Sequence, residues 1–299
     1  MLYLIVFLII FIIVNIYLDM KAKQEFKNKN FPKDIIFPLD QTIELPQVEL
    51  GKDIPKKIYR CYSTKEKMKD FQKVFDLTKE RMKDYEQIFF DDEEVEQFIN
   101  KNFSERIYNA YKHINPDYGA ARADFFRYLV IYLYGGVYMD IKTGPNQIIN
   151  IDFEPKLHVS KGVSGIPGIP KFHLKEIFDL NDDWSFVTGV DFGSEWQQFF
   201  IVSNKGNPFV KETIQQVVTN IEHGLKQKES YNSGNISVVA MTGPITWSLV
   251  IERNRQKYPD DIIFYRCGLG RLIDHSLIDY KKIMKDKHYS KIKNKNILV

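Results

Sequence analysis

Residues 123–142 carry the strongest fold signal of the chain, with the sequence Ala-Asp-Phe-Phe-Arg-Tyr-Leu-Val-Ile-Tyr-Leu-Tyr-Gly-Gly-Val-Tyr-Met-Asp-Ile-Lys. Its first part predicts a helix, because large apolar residues such as Phe125 and Leu129 recur at helical spacing. Gly135 ends this helix and Gly136 lets the chain turn tightly, since glycine adopts left-handed conformations without a steric penalty. The apolar run 137–141 predicts a strand. The stretch is therefore a helix-turn-strand unit.

The rest of the chain extends this alternation of strands and helices. Segment 54–62 is predicted as a strand, 64–84 as a helix, 85–90 as a strand, and the acidic residues from Asp91 onward open another helix. Such an order is typical of an α/β domain. The sequence predicts a mixed sheet flanked by helices, continued by a strand at 199–202 and helices at 208–221 and 244–251.

The amino-acid composition argues against several classes of function. The chain has 299 residues, of which 44% are apolar and 27% charged, enough to bury a full core. A formal net charge of +3 does not indicate a nucleic-acid-binding surface, so nucleic acid is not an expected partner. Cys61 and Cys267 are the only cysteines and form no CxxC pattern, which argues against a disulfide scaffold or a zinc site.

The N-terminus predicts a single-pass membrane anchor. Residues 1–18 are almost entirely apolar, and lysines follow this run while no charged side chain precedes it. Positive flanks stay on the cytoplasmic side, so we expect a cytoplasmic globular domain, with the Golgi lumen as the alternative. Residues 19–53 contain three prolines and no apolar period, which predicts a stem.

Two charged pairs stand out around the glycines. Asp124 and Arg127 are three residues apart on the predicted helix and share a face, where they form either a surface ion pair or a ligand contact. Asp140 and Lys142 are two apart on a segment predicted to be extended, which places both side chains on one side of the sheet. Ligands of open α/β sheets bind at such strand ends.

These motifs resemble glycosyltransferase family 32, the sugar transferases with a DXD motif. The similarity rests on Ala-Asp-Phe-Phe-Arg-Tyr at 123–128, Tyr-Gly-Gly-Val-Tyr-Met-Asp at 134–140 and Ile-Pro-Lys-Lys-Ile-Tyr at 54–59. It covers roughly residues 54–290, which we interpret as the glycosyltransferase domain, and leaves residues 291–299 as a basic tail.

The resemblance implies a GT-A-like, Rossmann-like fold and a retaining transfer of a hexose. The donor would be GDP-mannose or a UDP-hexose, and the acceptor a glycan or glycolipid. By this resemblance Asp124 and Arg127 contact the donor sugar, while Asp140 lies against the ribose and a metal-bound diphosphate. The implied nucleotide-binding residues are Tyr59, Arg60, Asp91 and Tyr138, although Asp91 is equally explained as the start of a helix. His288 resembles a histidine that binds the diphosphate or metal, and is otherwise a solvated side chain in a basic segment.

The sequence departs from the family at Lys142, which replaces the second acid of the DXD motif. A protonated lysine has no acceptor atom and cannot ligate a metal. Three interpretations stay open: Lys142 itself acts on the phosphates as a catalytic cation beside Asp140, Mn²⁺ or Mg²⁺ still binds through Asp140, or the domain is a catalytically silent binder of nucleotide sugars or carbohydrates.

Overall fold

The computed structural model describes residues 37–160, 196–226, 235–265, 272–274, 292 and 295–299. These residues build a central mixed sheet with helices packed against it, which confirms the predicted α/β class. Within these ranges no helix is both long and apolar enough to cross a membrane. The anchor predicted at residues 1–18 lies outside the described residues.

The strands of the described chain are β1 (Lys57–Cys61), β2 (Glu86–Phe90), β3 (Gly136–Met139), β4 (Gly144–Pro145), β5 (Leu157–Ser160), β6 (Phe200–Ser203), β7 (Ile262–Tyr265) and β8 (Ile273–Asp274). The central sheet has the order β2-β1-β3-β6-β5-β7, and β4 pairs separately with β8. Because β1 is parallel to both β2 and β3, the carboxyl ends of these strands lie at one edge. β6 runs antiparallel to β3 and begins at that same edge.

The helices are α1 (Lys65–Met68), α2 (Gln72–Arg81), α3 (Asp92–Asn102), α4 (Glu105–His113), α5 (Gly119–Tyr134), α6 (Pro208–Lys226), α7 (Asn235–Met241) and α8 (Pro244–Asn254). Short 3-10 turns occur at Lys69–Phe71 and Pro259–Asp261. The predicted helices at 64–84, 208–221 and 244–251 are therefore confirmed in position, the first of them broken into three pieces. The helices α4 and α7 and the strands β4, β5, β7 and β8 are additional elements.

α5 is the central helix of the domain and enters β3 through the predicted glycine turn. Gly135 has a φ of +67° and Gly136 a φ of +96°, both in the region that favours glycine. A Cβ atom on Gly135 would lie 2.7 Å from the backbone nitrogen of Lys205. α5 is buried on nearly all sides, rather than on the single face that its spacing predicts, because it packs against both the sheet and α6.

Residues 37–53 pack against the domain along their whole length, so the predicted stem does not extend to residue 53. Ile43 is 1% exposed, and its carbonyl accepts a hydrogen bond of 3.0 Å from the side chain of Gln215 on α6. Asp40 forms an ion pair with Arg106, which also contacts Glu222 at 2.6 Å. These contacts move the start of the folded unit upstream of the predicted boundary at Ile54.

Replacing Ile43 with alanine is expected to lower the free energy of unfolding by about 2–5 kcal/mol, because it leaves a cavity in a packed interior. Leu50, in the same segment, is 48% exposed and serves as the matched control. The Leu50→Ala variant should unfold within about 0.5 kcal/mol of wild type. Urea unfolding of both variants measures the difference, and equal stability would show that residues 37–53 do not belong to the folded unit.

The chain end is also part of the domain. Ile297 is fully buried, and its carbonyl accepts a 2.8 Å hydrogen bond from the backbone of Asn115. The N–H of Val299 donates to the carbonyl of His113 at 2.9 Å. Residues 295–299 are thus docked on the connection between α4 and α5, whereas the sequence predicts residues 291–299 to be a basic tail.

Candidate functional site

The candidate site lies where β3 ends, at the edge that collects the carboxyl ends of β1 and β3. Asp140 directly follows β3, and its N–H donates to the carbonyl of Phe199 at 2.9 Å. The N–H of Thr143 then donates to the carbonyl of Asp140 at 2.9 Å, which closes a tight turn over residues 140–143. The prediction that Asp140 and Lys142 lie on an extended segment is therefore wrong, because strand pairing stops at Met139.

Arg60 holds this turn from beneath the site. Its Nη1 donates to the carbonyl of Asp140 at 2.8 Å and to the carbonyl of Thr143 at 2.7 Å, so one guanidinium joins the two ends of the turn. Its Nη2 donates to the hydroxyl of Thr78 on α2 at 3.0 Å. Arg60 is fully buried. These contacts fix the backbone from which the side chains of Asp140 and Lys142 project.

Arg127 joins the two carboxylates that the sequence singles out. Its Nη2 lies 2.6 Å from Oδ1 of Asp124 and 3.0 Å from Oδ1 of Asp140. Its Nη1 donates to the carbonyl of Gln198 at 2.9 Å, and its guanidinium lies 4.9 Å from the ring centre of Tyr138. The alternative of a surface ion pair is excluded, since Asp124 is 5% exposed and Arg127 3% exposed.

Asp124 has additional partners that come from distant parts of the chain. Its Oδ1 accepts from the amide of Gln198 at 3.2 Å, and its Oδ2 accepts from the hydroxyl of Thr242 at 3.3 Å. Tyr128, one turn along α5, donates to the side-chain oxygen of Gln198 and to the carbonyl of Thr242. Gln198 and Thr242 are not among the site residues predicted from the sequence. Only Thr242 gave a signal, because it precedes Gly243 and the first helical proline of α8.

Asp124, Arg127 and Asp140 form one connected unit, and Asp140 is its most accessible member. Its side chain remains 23% exposed, while those of Asp124 and Arg127 lie beneath it. Burial raises the pKa of the Asp124 carboxyl, and the adjacent Arg127 charge opposes that shift. Burial lowers the pKa of Lys142, and the Asp140 charge acts in the opposite direction. The site thus presents a carboxylate held by an arginine, with a half-buried lysine on the same turn.

The predicted nucleotide-binding residues differ in their positions. Tyr59 and Tyr138 are paired across β1 and β3, and both are buried in the domain. Arg60 is buried beneath the turn and supports it. Asp91 is the N-cap of α3, where its side chain accepts from the N–H of Glu94 at 2.9 Å. This arrangement matches the alternative reading of Asp91 as a helix start, and direct nucleotide contact by these four residues stays a prediction.

The described residues offer few ligands for a divalent cation at the site. No group of three or more histidine, cysteine, aspartate or glutamate side chains is gathered there in a way that could hold a metal. Asp140 offers one carboxylate, whose Oδ1 is already bonded to Arg127. His288, the other predicted ligand, lies outside the described ranges. Within those ranges, Asp140 is therefore the one predicted metal ligand whose surroundings are known.

Residues 64–157 match a family model described as a glycosyltransferase sugar-binding region containing a DXD motif. These residues form a DXD-type glycosyltransferase region. The match spans α1 to β5 and includes Asp124, Arg127 and Asp140. The motif in this chain is Asp-Ile-Lys, so the region keeps the first acid of the motif and carries Lys142 in place of the second.

A curated relative matches a longer part of the chain than the family model does. The chain is 27% identical over 232 residues to an initiation-specific alpha-1,6-mannosyltransferase of Schizosaccharomyces pombe, which covers 75% of this chain. The match covers 54% of that relative, so the chain spans about half the length of the curated protein it resembles. Both the family model and this relative are glycosyltransferases, as the resemblance found in the sequence predicts.

Solved glycosyltransferase structures show a more distant likeness. The PaToxG glycosyltransferase has a TM-score of 0.45 at 16% identity, covering 93% of this chain and 97% of its own. The ligand-free glycosyltransferase domain of the YGT toxin has a TM-score of 0.39 at 9% identity, covering 72% of this chain and 80% of its own. Similarity at this level does not assign a donor or an acceptor.

Proposed function

We propose that this chain is a retaining hexosyltransferase with a GT-A-like fold that uses a nucleotide-sugar donor and a glycan or glycolipid acceptor. The observation that carries the proposal is the unit formed by Asp124, Arg127 and Asp140 at the end of β3. It combines a buried ion pair with an accessible carboxylate at the sheet edge where α/β proteins bind ligands. A buried ion pair often contributes no more stability than well-packed apolar residues would. We therefore assign these groups a binding role.

The unit suits a sugar diphosphate. Carboxylate oxygens accept hydrogen bonds from sugar hydroxyls, and a guanidinium donates to hydroxyl or phosphate oxygens. Asp140 is the accessible member and Arg127 fixes its orientation through the 3.0 Å contact. Asp124 is in turn held by Gln198 and Thr242. A site built this way is preorganised, so little reorganisation is needed when the donor binds.

The transfer breaks one bond and forms one. The bond between the anomeric carbon of the hexose and the diphosphate oxygen breaks, and its electron pair stays on that oxygen. An acceptor hydroxyl oxygen forms the new bond to the anomeric carbon, and its proton passes to the departing diphosphate. This front-face course needs no covalent enzyme intermediate. Negative charge develops on the diphosphate, where a fixed cation accelerates the reaction.

We also propose a donor for the enzyme and a location for its globular domain. The name of the Schizosaccharomyces pombe relative favours a mannose donor such as GDP-mannose, with UDP-hexoses as the alternative. The apolar residues 1–18 and the lysines that follow them favour a single-pass membrane anchor with a cytoplasmic domain, or a luminal domain in the Golgi.

A panel of nucleotide sugars tests this function. The full chain in detergent is incubated with GDP-mannose, UDP-glucose, UDP-galactose and UDP-N-acetylglucosamine, and release of the nucleoside diphosphate is measured with and without simple glycosides as acceptors. We expect one donor to be consumed faster than the others, and the Asp140→Asn variant to be inactive on it. Binding of a nucleotide sugar without consumption of any donor would instead support the catalytically silent binder.

A further inference from the structure

Lys142 changes the charge of the motif by two units. An acid at this position would carry one negative charge and lysine carries one positive charge, so the difference equals the charge of one divalent cation. Arg127 lies within 3.0 Å of the carboxylates of Asp124 and Asp140, Arg60 binds the backbone carbonyl of Asp140, and Lys142 is on the same turn as Asp140. The chain thus already supplies, as a side chain, the positive charge that a metal ion would add.

The ligand chemistry of the turn does not suit a divalent cation. Magnesium and manganese prefer oxygen ligands, and the lysine ammonium offers three donors and no acceptor. Asp140 contributes one carboxylate, and its Oδ1 accepts from Arg127 at 3.0 Å. A cation bound to that carboxylate would lie close to the fixed positive charge of Arg127 and near the turn that carries Lys142. Like charges at such distances repel each other strongly in a partly buried site.

The backbone at Lys142 is held in place on both sides. Arg60 bonds to the carbonyls of Asp140 and Thr143, and the N–H of Thr143 closes the turn between them. The side chain of Lys142 is half-buried, so its stem packs against the protein. A lysine on such a turn provides a positioned point charge for phosphate, with little of the freedom that an exposed lysine has.

We propose that Lys142 binds the diphosphate of the donor, with Arg127 as a buried fixed positive charge behind Asp140, and that this chain holds its donor without a divalent cation. The inference rests on the proposed nucleotide-sugar function and specifies which groups receive the leaving diphosphate. Lys142 acts there as a catalytic residue that stabilises the charge that develops on the diphosphate oxygen when the bond to the anomeric carbon breaks. Asp140, held by Arg127, orients the sugar instead of ligating a metal.

Calorimetric binding of GDP and UDP to the full chain tests the proposal without requiring turnover. Each nucleotide is titrated in excess EDTA and again in 1 mM Mn²⁺, a concentration near which weak metal sites fill. We expect the preferred nucleotide to bind with the same affinity in both conditions, within about threefold. Binding that appears only with Mn²⁺ would overturn the proposal and leave the nucleotide-sugar function intact. No binding of either nucleotide in any condition would overturn both.

Variants at position 142 separate charge from structure. Lys142→Met keeps a long apolar side chain without the charge and should weaken nucleotide binding in EDTA roughly 10- to 100-fold, the range of a lost charge-assisted hydrogen bond. Lys142→Arg should retain most of the binding. Lys142→Asp restores the two acids of the motif and should bind only when Mn²⁺ is present. Lys156→Met, a control at a half-buried lysine outside the turn that pairs with Glu154, should bind as wild type does.

Unchanged binding in Lys142→Met would contradict the proposal, and so would metal-independent binding by Lys142→Asp. Circular dichroism and thermal unfolding of each variant confirm that it is folded before binding is compared. If Lys142→Asp does not fold, the comparison of wild-type binding in EDTA and in Mn²⁺ still decides the question, because it involves no substitution.

Discussion

Replacing Arg127 with alanine is expected to lower the free energy of unfolding by about 3–5 kcal/mol, the range measured when one partner of a buried ion pair is removed. The reason is the position of Arg127 between two carboxylates. Asp124 is 5% exposed and would be left buried beside Asp140 without a cation within hydrogen-bonding distance. The change would also remove the donors to the carbonyls of Ala123 and Gln198.

Urea unfolding of the Arg127→Ala variant measures this loss. The matched control is Lys56→Ala, since Lys56 also lies between two carboxylates, Asp84 and Asp152, but its side chain is 47% exposed. Exposed pairs contribute about 0–1 kcal/mol, so the control should unfold close to wild type. A loss in Arg127→Ala no larger than in the control would show that the Asp124–Arg127–Asp140 unit is not a buried, mutually dependent arrangement.

Replacing Asp140 with asparagine is expected to lower the rate of sugar transfer by about 10²–10³-fold, the effect of removing one preorganised polar group from a transition state. Asp140 is the accessible member of the unit, with its side chain 23% exposed, and asparagine has nearly the same shape. Arg127 keeps Asp124 as a partner at 2.6 Å, so no buried charge is left alone. The fold should therefore lose no more than about 1 kcal/mol.

Steady-state transfer with the preferred donor, together with urea unfolding, separates the two effects for Asp140→Asn. Asp152→Asn serves as the control, because its carboxylate is 95% exposed and lies outside the site. Activity of the control should equal that of wild type. Wild-type activity in Asp140→Asn would show that Asp140 does not act in the reaction, whatever the cation on the phosphates.

Much of the fold around the site could be predicted from local sequence. The strands β1, β2, β3 and β6 and the helices α5, α6 and α8 follow from apolar periodicity, glycine turns and helix-opening prolines, which are local signals. The turn from α5 into β3 is the clearest case, since Gly135 and Gly136 have positive φ angles that other residues rarely adopt. Asp124 and Arg127 were paired correctly because their spacing along a helix determines their proximity.

The sequence predictions are wrong in segments whose conformation depends on contacts with distant parts of the chain. Residues 37–53 have no regular period, yet Ile43 is buried and its carbonyl accepts a hydrogen bond from Gln215 on α6. The segment after β3 continues an alternating pattern, yet Arg60 and Thr143 pull it into a turn. Hydrogen bonds between residues 80 or more positions apart leave no periodic trace in the sequence.

The same reason explains the missing members of the site. Gln198 and Thr242 reach Asp124 from the segment before β6 and from the end of α7, and each is a common polar residue without a characteristic spacing. Their roles depend on how β6 and α7 pack against α5. The burial of Tyr59 and Tyr138 likewise follows from the pairing of β1 with β3 and could not be seen in either strand alone.

Metal-independent binding of the donor diphosphate is tested most directly by a crystal structure. The crystals are grown in EDTA with the nucleoside diphosphate that binds best. We expect the diphosphate against the turn at residues 140–143, with phosphate oxygens within about 3.2 Å of Lys142 Nζ and no metal ion between them and Asp140. A nucleotide bound away from this turn would contradict the assignment of the donor site to Asp124, Arg127 and Asp140.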